Sequence, residues 1–213
     1  MARIYTDISM SLDGYVAGPD PTLDEPLGSG GEQLHEWAFR LEAWRRPHGL
    51  EGGETGPESG MIDRTLAETG AFVMGRRMFS GGSGPWADDP NAGGWWGDNP
   101  PFHVPVFVVT HEPREPVEME GGTTFTFVTE GVAAAVERAR DAAGARDVQI
   151  AGGGSMVQQA LALGLLDELQ VHVAPVFLGG GVTLFEGVSP AGLEVVETIA
   201  TPHATHIHYR VVR

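Results

Sequence analysis

The stretch Val148-Gln149-Ile150-Ala151-Gly152-Gly153-Gly154-Ser155-Met156-Val157 constrains the fold of this chain more than any other. An apolar run of strand length passes straight into three glycines, and a helical pattern over Ser155–Leu163, closed by Gly164, begins at once. Glycine reaches backbone conformations barred to other residues and lets a ligand approach the chain closely. The first N–H groups of a helix have no partner within it, and the helix dipole favours negative charge there. The run therefore reads as an anion cradle, with Gly152, Gly153, Gly154, Ser155, Met156 and Val157 around a pyrophosphate. The alternative is a tight strand-to-helix turn that holds no ligand. It is not a G-x-G-x-x-G fingerprint, because Val157 stands where the last glycine would be, and it lacks the lysine of a P-loop.

Other apolar runs bounded by turn residues read as buried strands: Arg3–Met10, Ala71–Met74, Val104–Val109 and Glu168–Phe177. Helical patterns lie between them at Met61–Thr69 and at Val132–Ala143, with Gly144 placed as a C-cap. A further helix is expected over Glu32–Trp44. Leu193–Ala200 and Thr205–Val212 alternate apolar and polar residues around Thr201-Pro202-His203-Ala204, which predicts an antiparallel hairpin. The fold class is thus α/β, with a mixed, mainly parallel sheet flanked by helices and an antiparallel C-terminal hairpin. At 213 residues one domain over 1–213 is expected.

The chain has no cysteine, which excludes disulfides, thiolate nucleophiles and Cys-ligated metals. Its N-terminus lacks the apolar run of a signal peptide, and no stretch approaches the length of a membrane helix, so a cytoplasmic setting is expected. A formal charge of −16 repels nucleic acid and anionic membranes. A phosphorylated small molecule remains compatible where positive charge is local, which directs attention to Arg45-Arg46 and Arg76-Arg77. The second pair follows a buried strand in Met74-Gly75-Arg76-Arg77-Met78-Phe79, at the carboxyl edge where open α/β sheets bind ligands. A guanidinium suits a phosphate monoester by forked hydrogen bonds. Thr110-His111 follows the next strand in the same way.

The segment 81–101 holds Trp86, Trp95 and Trp96 among glycines and prolines and reads as a lid or pocket wall. Asp88, Asp89 and Asp98 within it read as solvated. His203, His206 and His208 crowd the hairpin, and His206 and His208 would share a strand face. A zinc site would want a third ligand held nearby and a second shell, so the stretch reads as a half-exposed edge strand and no metal is expected. No Gly-x-Ser-x-Gly elbow or Cys-His pair points to a hydrolase.

Several of these motifs together resemble one superfamily, in order along almost the whole chain. Met10-Ser11-Leu12-Asp13-Gly14 resembles the Ser-Leu-Asp-Gly opening of the reductase domain of the riboflavin-biosynthesis deaminase-reductase. Met74-Gly75-Arg76 and Ile150-Ala151-Gly152-Gly153-Gly154 resemble segments of dihydrofolate reductases, and Ala174-Pro175-Val176-Phe177-Leu178-Gly179-Gly180-Gly181 is similar to the riboflavin reductase domain's closing segment. The resemblance implies a dihydrofolate-reductase-like fold and an NADPH-dependent reductase acting on a small pterin- or pyrimidine-like heterocycle. It implies that Gly75, Arg76 and Arg77 meet the adenosine phosphate, that Thr110 and His111 flank the adenine, and that Gly152 to Val157 cradle the pyrophosphate. Asp13 would border the reacting end, as proton donor, orienting group or loop cap. It further implies a homodimer, expected to pair through the sheet edge and the apolar run Leu169–Leu178. The glutamate that the riboflavin-pathway reductase carries shortly before its glycine turn has no counterpart here, Ile150 standing in that stretch. Glu32 or Glu36 would stand for the carboxylate on the first helix of dihydrofolate reductase. Two alternatives stay open: a nucleotide-binding module without turnover, and a reductase that uses a flavin or deazaflavin.

Overall fold

The computed structural model describes residues 2–82, 84–188 and 191–212. The elements are, in chain order, β1 (Ile4–Ser11), β2 (Tyr15–Ala17), α1 (Glu36–Phe39), α2 (Glu42–Arg45), α3 (Pro57–Glu68), β3 (Thr69–Gly75), α4 (Arg76–Ser80), β4 (Pro105–Val109), β5 (Val117–Glu118), β6 (Thr124–Val128), α5 (Val132–Ala143), β7 (Asp147–Gly152), α6 (Gly154–Ala162), β8 (Glu168–Ala174), β9 (Val182–Thr183), β10 (Gly192–Ala200) and β11 (Thr205–Val212). Nine strands form one sheet in the order β10-β11-β8-β1-β7-β3-β4-β6-β5, while β2 and β9 pair separately. From β8 to β6 all neighbours are parallel; β11 joins β8 and β10 antiparallel, and β5 joins β6 antiparallel. The expected α/β class, mixed sheet and terminal hairpin are all present.

The two faces of this sheet are covered differently, and that decides where a ligand fits. Alternate residues of a strand point to opposite faces. Ile4, Val73, Val148, Ile150, Leu169 and Val171 form a continuous apolar face with α5 and α6, packed through Val132, Val136, Ala139, Met156, Val157 and Ala160. On the other face two smaller clusters stand apart. Phe72, Met74, Phe79, Phe125 and Phe127 cover the β3-β4-β6 side. Trp37, Ala38, Leu41, Met61 and Ala204 cover the β8-β11 side. Between them, on β1 and β7, Asp7, Gln149 and Ala151 are only half-buried.

Four expectations are corrected. The helix expected over Glu32–Trp44 is broken into a 3-10 turn at Gly31–Leu34 and the short α1 and α2. Leu41 is extended and bridges Glu54, with Glu54 donating to Arg40 and Glu42 donating to Glu54 through the backbone, so the glycine-rich segment after α2 interrupts the helix. The strand expected to reach Phe177 ends at Ala174, because Pro175 has no N–H to continue the ladder. Of the run Leu169–Leu178, the part in β8 is covered, since β11 pairs β8 as far as Val173, while Phe177 beyond the strand is exposed. The true edge is β10, where Leu193, Val195 and Val196 are exposed. The histidine hairpin is not a half-exposed edge either: β11 lies inside the sheet, and His206 is buried. The strand β6 (Thr-Phe-Thr-Phe-Val) is an addition to the expected elements. No helix among the described residues is long and apolar enough to cross a membrane.

Candidate functional site

The carboxyl ends of β7, β3 and β4 lie side by side: Met74 pairs with Gly152, and Gly75 with Val109. This register brings the glycine turn, Gly75 and Thr110-His111 to one edge of the sheet, as the sequence predicts. At the turn Gly152 has φ +128°, a region closed to side chains with a Cβ, and a Cβ on Gly154 would come within 2.8 Å of Val16 and 2.9 Å of Val182. Gly153 has open space above it, and both Gly153 and Ser155 are exposed. The N–H groups of Met156 and Val157 are already taken by the Gly153 carbonyl, at 2.9 and 3.4 Å. Their side chains are buried beneath the helix. Met156 and Val157 thus support the cradle from below and offer it no donor, a correction to the expectation drawn from sequence. The N–H groups of Gly154 and Ser155 have no acceptor among the described residues. Two adjacent unpartnered donors at the start of a nine-residue helix, under a backbone that only glycine permits, fit a pyrophosphate.

The Arg76-Arg77 pair splits. Arg77 is exposed and has no ion pair among the described residues. Arg76 folds back onto its own loop: its guanidinium contacts Ser80, lies 2.5 Å from Asp89 Oδ2, and sits 3.4 Å over the Trp86 ring. Asp89, expected to be solvated, has a side chain only 2% exposed. Burial alone would raise its carboxyl, but hydrogen bonds from Ser80, Arg76 and the Asn91 amide outweigh it and hold it below the usual range. Trp86 packs edge-on against Phe79 and Phe127 and donates to the Glu112 carbonyl, which moors segment 81–101 beside Thr110-His111. The Arg114 guanidinium lies 4.9 Å from the centre of the same indole. Trp86 falls in the segment read as a lid or pocket wall, whereas Asp89 and Arg114 were missed as members of this edge; only a three-dimensional view joins residues so spread along the chain. Thr110 is buried, and its hydroxyl accepts from the Glu112 amide, while His111 is exposed.

Asp13 sits in the loop after β1. Its two carboxylate oxygens accept from the Leu178 and Gly179 amides, at 3.1 and 2.8 Å, so it joins the loops that follow β1 and β8. A hydrogen bond with Ser11 and these amides hold its carboxyl below the ordinary range. A carboxyl kept ionised, with both oxygens engaged, is a poor proton donor, and the geometry gives Asp13 the loop-bridging role. Glu32 and Glu36 are both exposed and do not reach the sheet. Two carboxylates that meet the histidines on this face of the sheet are Asp7 and Glu58, which sequence reasoning missed. Asp7 Oδ1 lies 2.5 Å from His172 Nε2, His172 Nδ1 lies 2.7 Å from His206 Nδ1, and His206 Nε2 lies 2.9 Å from Glu58 Oε1. The signal was an acid and a histidine inside otherwise apolar strands. Among the described residues no group of three or more His, Asp or Glu is arranged to hold a metal.

Residues 2–207 match the family described as the RibD C-terminal domain. Among solved structures, the chain is similar to a Shewanella sp. PV-4 protein assigned to riboflavin biosynthesis, with a TM-score of 0.63 at 22% identity over 100% of both chains. It is also similar to a Thermotoga maritima diaminohydroxyphosphoribosylaminopyrimidine deaminase/5-amino-6-(5-phosphoribosylamino)uracil reductase, with a TM-score of 0.58 at 12% identity; the match takes in 99% of this chain and 57% of that one. An Enterococcus faecalis dihydrofolate reductase complexed with NADP(H) aligns over 99% of this chain and 97% of its own, with a TM-score of 0.51 at 14% identity. At these identities the likeness is one of fold. No curated protein matches the sequence.

Proposed function

The chain belongs to the RibD C-terminal domain family, and from that premise we propose that it is a reductase that uses NADPH to reduce a small pyrimidine- or pterin-like heterocycle. The observation that carries this reading is the turn at Gly152–Gly154, where two unpartnered N–H groups open onto the carboxyl edge of the sheet. Gly154 and Ser155 would hold the pyrophosphate. Arg77, exposed beside Gly75, would meet the 2′-phosphate, and Thr110 and His111 would border the adenine. When bound, the dinucleotide supplies the hydride. The heterocycle would lie over the half-covered strip on β1 and β7, between the two apolar clusters. The reductase named among the structural relatives acts on an aminouracil, which supports a pyrimidine as first choice.

The same reading takes residues 1–213 as one catalytic unit, a homodimer, and a protein of the cytoplasm. It is tested by titrating NADPH into the protein and mixing the complex with aminouracils and pterins in single turnover. Loss of reduced-nicotinamide absorbance with one acceptor supports it. Tight binding without oxidation across the panel leaves a nucleotide-binding module, and flavin absorbance in the purified protein would replace NADPH.

A further inference from the structure

Asp7, His172, His206 and Glu58 lie on four different elements, β1, β8, β11 and α3, and meet on the face of the sheet opposite α5 and α6. Three short contacts of 2.5, 2.7 and 2.9 Å join them in a line. Both imidazoles are sealed, at 1% and 2% exposure, and Trp37 lies against both rings with its indole N–H held by Ser9. The two ends differ. Asp7 is the more open carboxylate, in the half-covered strip beside Ala151. Glu58 is nearly closed in and also accepts from the Thr201 hydroxyl at 2.9 Å.

Counting protons shows why this is more than packing. A ring nitrogen either carries a proton or offers a lone pair. Two Nδ1 atoms 2.7 Å apart make a hydrogen bond only if one donates, and each Nε2–carboxylate contact needs a proton as well. Three contacts need three protons, whereas two neutral imidazoles carry two. The line therefore holds one excess proton, on a ring or on a carboxyl. Burial, followed by the neighbouring His172, pushes His206 below its ordinary value and disfavours a cation on that ring. His35 also faces the cluster; it is pushed down to about 4, by burial first, and so adds no positive charge at neutral pH. With Glu58 protonated, a concerted shift of the three protons leaves Glu58 ionised and Asp7 protonated, and neither ring has to turn.

We propose that Asp7, His172, His206 and Glu58 share one excess proton and that Asp7 hands it to the acceptor. This rests on the reductase reading. Reduction of a C=N or C=C bond consumes one hydride at carbon and one proton at the other atom. Asp7 would supply that proton, becoming a carboxylate, and its open side would regain one from water after product leaves. Asp7 is then the catalytic residue; His172, His206 and Glu58 are positioning residues that set how much of the proton resides at Asp7.

The test reads the far end of the line when the near end is changed. In protein with 15N-labelled histidine, Asp7→Asn should move the titration of the His206 ring, two groups away, and remove a far-downfield exchangeable proton. In single turnover of the NADPH complex with an aminouracil acceptor, Asp7→Asn should slow oxidation by ~10²–10⁴-fold. Glu58→Gln should slow it less, at unchanged acceptor KM and with a displaced pH profile. His208→Gln, which breaks only the separate contact with Glu168, serves as the folded control. A His206 titration indifferent to Asp7→Asn, or a wild-type pH profile in Glu58→Gln, overturns the shared proton and leaves the reductase standing. Failure of the wild-type NADPH complex to reduce any acceptor overturns the reductase reading and the delivery step with it, even where the coupled titration is seen.

Discussion

Asp89 Oδ2 lies 2.5 Å from Arg76 Nη1, with the two side chains 2% and 11% exposed, so the arginine best placed by sequence for a phosphate is already satisfied inside its own loop. The Trp86 ring closes over the guanidinium at 3.4 Å. A cation clamped between a carboxylate and an indole offers little to a second anion.

The two arginines should consequently part company on mutation. Arg77→Ala is expected to weaken NADPH binding by roughly tenfold or more while leaving NADH nearly unchanged, as loss of one charged hydrogen bond worth ~1.5–3 kcal/mol implies. Arg76→Ala should act on the fold, because removing one member of a buried pair leaves the other uncompensated, at ~3–5 kcal/mol. Calorimetric titration of both nucleotides, with a thermal midpoint for each variant, separates the cases. A selective NADPH loss in Arg76→Ala with an unchanged midpoint would show that the Asp89 contact opens on binding.

Ser155 allows binding and stability to be driven in opposite directions. It is exposed in the first turn of α6, where an acid gains ~0.3–1 kcal/mol from the helix dipole. Ser155→Glu should hold or raise the thermal midpoint yet lower the affinity for either dinucleotide at least ~tenfold, by placing like charge against the pyrophosphate. Gly154→Ala should do the reverse to the fold, since its Cβ would strike Val16 and Val182. Unimpaired NADPH binding by Ser155→Glu would remove the pyrophosphate from this turn.

The frame was legible where local chemistry repeats itself. The strand–glycine–helix passage at 148–163 and the alternation at 193–212 announce their elements, because period and turn residues there agree with the tertiary structure. What was not legible depends on long-range contact. Nothing near Glu42 says that Glu54 will pair with its amide and break a helix. Asp89 looks solvated until Arg76 is seen beside it. His172 and His206 stand 34 residues apart, and their rings meet only because β11 pairs with β8 in that register.

The sheet ends on one side in β10, where Leu193, Val195 and Val196 are exposed on a nine-residue strand whose outer backbone edge has no neighbour in the sheet order. Such an edge invites pairing with a second copy. The protein is expected to run as a homodimer, and Val195→Lys should shift it towards monomer. A light-scattering mass near 22.6 kDa for the wild type at micromolar concentration would refute the dimer.

His35 gives the pH dependence a definite sign. The ring is half-buried against the Asp7–His172 cluster, its Nδ1 is sealed with no partner among the described residues, and burial, then the neighbouring His172, lower it from 6.5 to about 4. The unfolded chain therefore binds this proton at a higher pH than the folded one. Between those two values the unfolded state carries more protons, so stability falls as the pH drops from 6.5 towards 4 and levels off below. Each tenfold loss of proton affinity on folding corresponds to ~1.4 kcal/mol; with partial exposure of the ring, a loss of about 2 kcal/mol across the window is expected. His35→Gln cannot take up that proton and should flatten this part of the curve, while remaining close to wild type at pH 8. Urea midpoints measured from pH 4 to 8 for both proteins decide the matter. Parallel curves would mean that the ring reaches solvent and titrates normally, and that the cluster beside Asp7 is more open than its geometry indicates.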